Sequence, residues 1–169
     1  MSGRLLGLDA RLSDRLRVAE RPGPLRTSAA IFAHSGDSWF WLLGLLLLWY
    51  FGTPEWKTLA VAMALGTVVT AAVVMLIKFT VRRSRPAGEW GNIYRKTDPH
   101  SFPSGHAARA AMLAVIAIGL GPTGLAITMA IWAPLVALSR ISMGLHYLSD
   151  VLAGAALGIV IGLGVLIWF

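Results

Sequence analysis

An all-α integral membrane protein, a helical bundle of about five transmembrane helices with an N-terminal interfacial amphipathic helix, is the fold class this sequence predicts. Three observations point to it. The 169 residues are 56% hydrophobic and 14% charged, against about 25% charged in soluble domains, and the mean hydropathy is +0.68. Apolar runs of near membrane-spanning length follow one another through most of the chain. The charges are clustered between those runs rather than spread over amphipathic faces. The chain has room for one domain, and its 0 cysteines exclude disulfide and thiol chemistry while leaving the compartment open. A net charge of +7 reads as basic flanks facing anionic headgroups, with no nucleic-acid partner.

The elements follow in order. "MSGRLLGLDARLSDRLRVAERPG" carries charges throughout and has no apolar h-region, so it does not read as a signal peptide. Within residues 5–20, Leu8, Leu12 and Leu16 fall on one helical face, which predicts a helix lying in the membrane interface. A cytosolic helix packed on loops is the competing reading. "RPGPLR" at 21–26 breaks this helix. Residues 1–37 are therefore expected as an N-terminal interfacial segment and 38–169 as the transmembrane domain. Five spans are expected, the first near 38–52 and extended upstream through "SAAIFA", with Trp39, Trp41, Trp49 and Tyr50 as interfacial anchors. The others are expected near 58–77, 105–120, 123–142 and 149–169, the third short enough to end at the interface. The polar stretch 78–104 is long for a loop. Trp90, Ile93, Tyr94 and Phe102 are expected to pack it against the interface.

An up-down path through five spans brings one set of helix ends together. Lys78 closes the second span, Ser104, Gly105 and His106 open the third, Ser139 and Arg140 close the fourth, and His146 and Asp150 stand at the start of the fifth. Lys78, Arg85 and Arg140 around a helix N-terminus at "PSGH" make an oxyanion or phosphate site. His146 and Asp150 are four residues apart. The carboxylate is expected to accept from one imidazole nitrogen and free the other as nucleophile or base, with His106 as acid. Two histidines and an aspartate are also a zinc donor set. The three cations argue against a metal, and no further carboxylate is expected at the site.

These residues resemble a known family. "KFTVRRSRP", "PSGH" and "SRISMGLHYLSD" are similar, in order and spacing, to the three-part signature of the type 2 phosphatidic acid phosphatase superfamily. The resemblance covers about 38–169. It implies that His146 attacks phosphorus and forms a phosphohistidine, that Asp150 orients it, and that His106 protonates the leaving oxygen. It also implies that Lys78, Arg85, Ser104, Gly105 and Arg140 bind the phosphoryl oxygens, without metal or other cofactor. Arg109, one turn beyond His106, is extra to the signature. It is read either as a substrate contact or as an interfacial side chain.

The expected activity is hydrolysis of a membrane lipid phosphate. Candidates are a polyprenyl-phosphate sugar phosphate such as decaprenylphosphoryl phosphoribose, polyprenyl diphosphate, phosphatidylglycerol phosphate and phosphatidic acid. A non-hydrolytic lipid-phosphate binding or transfer protein is the alternative, disfavoured by the intact His–Asp pair. Arg4, Arg11, Arg15, Arg17, Arg21, Arg26, Arg82, Arg83, Arg95 and Lys96 fall on the site's side of the bundle, against Lys57 on the other. Positive-inside then predicts a cell-membrane protein with its active site at the cytoplasmic face.

Overall fold

The structure, a computed structural model, describes residues 3–88 and 98–169, with side chains from Leu6 onward. The described residues form α1 (Gly3–Leu16), α2 (Pro24–Ser35), α3 (Ser38–Phe51), α4 (Pro54–Val81), α5 (Gly105–Leu120), α6 (Thr123–Ser142) and α7 (Leu148–Leu166). Trp90, Ile93 and Tyr94, expected to pack the long loop, lie outside the described residues, whereas Phe102 is half-buried.

Local sequence sets the helix ends. α2 and α4 each begin with proline in the first turn, where its missing N–H costs nothing. α5 is capped by the Ser104 side chain, which accepts from the Ala107 amide at 3.5 Å. α4, at 28 residues, is about 42 Å long. That exceeds the hydrocarbon thickness of about 30 Å, so this helix is long enough to span a membrane with tilt or with residues to spare. It closes on Arg82, which takes the left-handed conformation at φ 52°.

α4, α6 and α7 are long and apolar enough to cross a membrane on their own. The upstream extension expected for the first span is instead a separate helix, because α2 and α3 meet at a 55° bend. "SGD" at 35–37 interrupts the apolar run there, and the bent pair passes the length and hydropathy test only when taken together. α5 has 16 residues and falls short of a full span. It sits at the centre of the bundle, packed on α4, α6 and α7.

α5 and α7 pack in backbone contact, and glycine makes the approach possible. Gly154, Gly158 and Gly162 recur every four residues on one face of α7. A Cβ on Gly154 would overlap the Ser104 carbonyl oxygen, and one on Gly158 the Ala108 carbonyl oxygen. α5 answers with Ser104 opposite Gly154 and Ala108 opposite Gly158, and with Val115 and the Met112 carbonyl opposite Gly162. Small residues facing small residues let backbones touch where no hydrophobic drive exists between helices in lipid. The N-terminal ends of both helices are thereby held side by side, and the Ser104 amide donates to the Asp150 carbonyl at 2.9 Å.

α1 docks with its polar face inward. Asp9 and Ser13 are buried, while Leu8, Leu12 and Leu16 remain exposed. α2 packs on α6 through Ala29 and Ala33, which meet Met143 and Leu145 beyond the α6 terminus.

Replacing Gly158 by leucine is expected to lower thermal stability in detergent, since overpacking costs about 1–3 kcal/mol even where side chains alone must move. Gly164, whose Cβ would meet nothing within 4 Å, should accept leucine with little change. Equal melting temperatures for the two variants would refute the close-contact role.

Candidate active site

The polar groups gather at the end of the bundle where α4 and α6 finish and α5 and α7 begin. Lys78 projects from the last turns of α4 and is 4% exposed. Arg85 follows in the extended segment after α4, which is tied to the strand-like stretch before α5 by the Ser84–His100 bridge and a 2.8 Å bond from the Ser101 amide to the Arg83 carbonyl. Arg140 lies in the last turn of α6 and is buried.

The chain then turns sharply. Gly144 adopts φ +66°, a conformation that suits glycine. The Leu145 and His146 amides both donate to the Arg140 carbonyl, at 3.1 and 3.2 Å. His146 is thus placed in the turn, just ahead of α7, whose N-cap is Tyr147. Asp150 occupies the third position of that helix, and its carboxylate accepts from the Tyr147 amide at 2.9 Å.

This placement alters the expected His–Asp geometry. His146 Nδ1 donates to the Ser101 carbonyl at 2.8 Å, while Asp150 Oδ2 lies 3.6 Å from the same nitrogen. The carbonyl fixes the tautomer and Asp150 supplies charge from just beyond bonding distance. Nε2 is left with its lone pair, 3.1 Å from an Arg85 nitrogen. Burial first, and then the charges of Arg85, Arg140 and Lys78, push His146 well below the usual histidine value of 6.5, so the ring is neutral, as a nucleophile requires.

A cavity of about 330 Å³ is lined by Lys78, Arg85, Gly105, His106, Arg109, Arg140 and His146, together with Asp98. Seven of the nine residues singled out from the sequence therefore face one space. Ser104 and Asp150, both 0% exposed, stand behind it. Further along α4 the wall is Val74, Met75, Ala71 and Thr70. Cations beside a helix N-terminus and two imidazoles are groups that can receive a phosphoryl group and move a proton.

The expectation that no further carboxylate enters the site does not hold. Asp98 bonds Lys78, and Arg85 donates to its carboxylate at 2.8 Å and to its carbonyl at 2.7 Å. Burial alone would raise the Asp98 carboxyl; the bond and charge of Lys78 and the charge of Arg85 outweigh it and hold the group below the usual carboxylate range. Asp98 sits in a loop with no periodicity to reveal it.

Arg83 is a second residue whose role the sequence left unseen. It donates to Asp150 Oδ1 at 2.7 Å and to Asp9 of α1 at 2.6 Å, and its guanidinium lies 4.0 Å from the Tyr147 ring centre. Asp9 also accepts from the Ser149 amide at 3.0 Å, and Ser13 from the Leu148 amide at 2.8 Å. The unpaired N–H groups at the start of α7 are thus satisfied by α1. Arg109 donates to the Gly36 carbonyl at the α2–α3 break. His100 stacks edge-on against Phe79, away from the lining.

Fold and site together define a membrane-embedded phosphatase. The family model of the PAP2 superfamily matches residues 55–169, and the chain belongs to that superfamily. It is 36% identical over 146 residues to decaprenylphosphoryl-5-phosphoribose phosphatase of Mycobacterium tuberculosis, covering 86% of this chain and 80% of the relative. Among solved structures, the PAP2-type phosphatidylglycerolphosphate phosphatase from Bacillus subtilis matches with TM-score 0.78 at 25% identity, covering 97% and 85% of the two chains. Aquifex aeolicus LpxE matches with TM-score 0.63 at 26% identity, covering 90% and 93%. The chain is an enzyme, a membrane lipid-phosphate phosphatase.

Because His146 is neutral in the fold, the unfolded chain takes up a proton that the folded chain refuses as pH falls below about 6.5. Stability contributed by the neutral ring is present above that pH and is lost progressively below it. The melting temperature should fall from pH 8 to pH 5, and less steeply in His146→Gln. Parallel pH profiles for the two proteins would contradict a buried neutral His146.

Proposed function

We propose that the enzyme removes the terminal phosphate of a polyprenyl-phosphate sugar phosphate, with decaprenylphosphoryl-5-phosphoribose as the first candidate. The observation that carries this reading is a cation-lined cavity holding both histidines, in a chain 36% identical to an enzyme named for that substrate. His146 Nε2 attacks phosphorus. The phosphorus–oxygen bond to the sugar breaks as the nitrogen–phosphorus bond forms, and His106 gives its proton to the departing oxygen. Water, deprotonated by His106, then cleaves the phosphohistidine and releases inorganic phosphate.

Lys78, Arg85 and Arg140 neutralise the charge that gathers on the phosphoryl oxygens, with the Gly105 amide and Ser104 at the α5 N-terminus. Asp150 stabilises the positive charge that His146 acquires. The cations fill the role a metal would otherwise play, so turnover needs none. Arg109, on the same cavity wall as His106, reaches the second anionic group of a phosphodiester-linked sugar.

The protein resides in the cell membrane with the site at the cytoplasmic face. Supporting this, α1, with Arg11 and Arg15, is bonded to the α7 end that carries the site, so its charge belongs to that side. The exposed Leu8, Leu12 and Leu16 of α1 fit residues 1–37 lying along the interface. Single cysteines at Arg11 and Thr123, both exposed, would be labelled in intact cells with an impermeant maleimide. Reaction at Thr123 alone is expected; reaction at Arg11 alone would put the site outside and favour substrates of the outer leaflet.

Phosphate release from a panel of detergent-solubilised lipid phosphates tests the substrate. Decaprenylphosphoryl-5-phosphoribose should be preferred over phosphatidylglycerol phosphate and phosphatidic acid, with activity unchanged by EDTA. His146→Ala should lose at least about 10³-fold in kcat, together with the acid-labile phosphohistidine trapped in the wild type. A phosphoenzyme persisting in that variant would move the nucleophile elsewhere.

A further inference from the structure

We propose that Asp37, at the break between α2 and α3, is a positioning residue for the leaving-group acid. It holds His106 by Nε2 so that Nδ1 presents the proton to the departing oxygen. The inference rests on the reading of His106 as that acid and extends it to a residue outside the matched region 55–169.

The geometry is direct. Asp37 Oδ1 lies 2.8 Å from His106 Nε2. Asp37 is the N-cap of α3, a position at which aspartate ordinarily bonds the helix's own amides, yet its side chain makes no capping bond. The carboxylate turns instead across the bundle to a histidine on α5. Its second oxygen is 3.4 Å from His34 Nδ1.

The break that aims Asp37 is itself fixed. Arg109, also from α5, donates to the Gly36 carbonyl. Trp41 and Trp132 donate at 2.9 Å to the Ser35 carbonyl and hydroxyl. A Cβ on Gly36 would lie 3.1 Å from the His106 ring and from Val136, so an added side chain there would press on the imidazole. Bonds from three other helical positions thus hold one short turn against one catalytic ring.

An alkoxide leaves phosphorus poorly unless it is protonated as it goes. With the imidazolium's Nε2–H committed to Asp37, Nδ1–H is the proton available. It passes to the ester oxygen while the phosphorus–oxygen bond breaks and His146 Nε2 takes the phosphoryl group. The alcohol departs neutral and His106 is left neutral, ready to accept a proton from water in the second step. Asp37 fixes the ring and gives its charged form a counter-ion beside Arg109 and Arg140. Ser101 holds His146 in an analogous way, by the nitrogen that does not face phosphorus.

A residue that serves the acid matters only where the leaving group needs one. Asp37→Asn, Asp37→Glu and His106→Ala would be compared with wild type by kcat/KM, which reports transfer to His146, on an alkyl phosphate and on p-nitrophenyl phosphate in the same micelles. Asp37→Asn should lose on the order of 10²-fold on the alkyl ester and under about 3-fold on the aryl ester, whose phenolate departs unassisted. Asp37→Glu should recover part of the alkyl activity. Equal losses on both esters in Asp37→Asn, with a leaving-group split still present in His106→Ala, would overturn the role of Asp37 alone. No split in His106→Ala would overturn the underlying reading. Should Asp37→Asn melt below the assay temperature, Asp37→Ser is read by the same comparison.

Discussion

A carboxylate buried at the end of a membrane helix is the constraint on which the rest of this structure turns. Asp150 is 0% exposed, and an isolated charge there would cost several kcal/mol. The fold meets that cost with partners from three directions. The Tyr147 amide comes from its own helix, Arg83 from the segment after α4, and the neutral ring of His146 stands at 3.6 Å. Each partner is then held in turn, Arg83 by Asp9 of α1 and His146 by the Ser101 carbonyl. The Asp150 carbonyl also fixes the start of α5, accepting from the Ser104 amide. Satisfying one anion therefore sets the mutual position of four chain segments. The glycine face of α7 makes this possible, because a side chain at Gly154 would displace Ser104.

The opposite charge is balanced by the same logic. Lys78 and Arg85 share Asp98, and Arg83 is shared between Asp9 and Asp150. Like charges gathered in low dielectric repel one another; Asp98 between Lys78 and Arg85 lowers that repulsion, as Arg83 does between Asp9 and Asp150. This sharing also leaves each cation oriented. Electrostatic stabilisation of a phosphoryl group depends on donors that need not reorganise when charge develops. Here that rigidity comes from ion pairs formed within the fold.

Much of this was legible in the sequence, and the parts that were not share a cause. Helix ends, apolar periodicity and the short motifs at 78–86, 103–106 and 139–150 are local signals, and they place seven of the nine singled-out residues on one cavity. The four-residue spacing of His146 and Asp150 suggested a helical turn. In the structure His146 precedes the helix, so the imidazole turns to Ser101, whose carbonyl is offered by a segment 45 residues away. Arg83, Asp98, Asp9 and Asp37 meet their partners only through tertiary packing, and no periodic pattern marks them. The bend between α2 and α3 did leave a trace, since "SGD" interrupts an otherwise apolar run. An apolar segment on each side of it read more naturally as one span.

The two histidines of the site are supported by the parts of the chain least like a transmembrane span. Asp9 lies on an amphipathic helix and reaches His146 at two removes, through Arg83 and then Asp150. Asp37 lies in a helix break and touches His106 directly. Both precede residue 55, where the superfamily match begins. The helical core brings cations and imidazoles to one place by packing small residues closely, and such packing leaves little room for long polar side chains between the helices. Asp37 therefore reaches His106 from a helix break at the rim, whereas Asp150 approaches His146 from the first turn of α7. The N-terminal segment thus contributes to the bonding network behind the site.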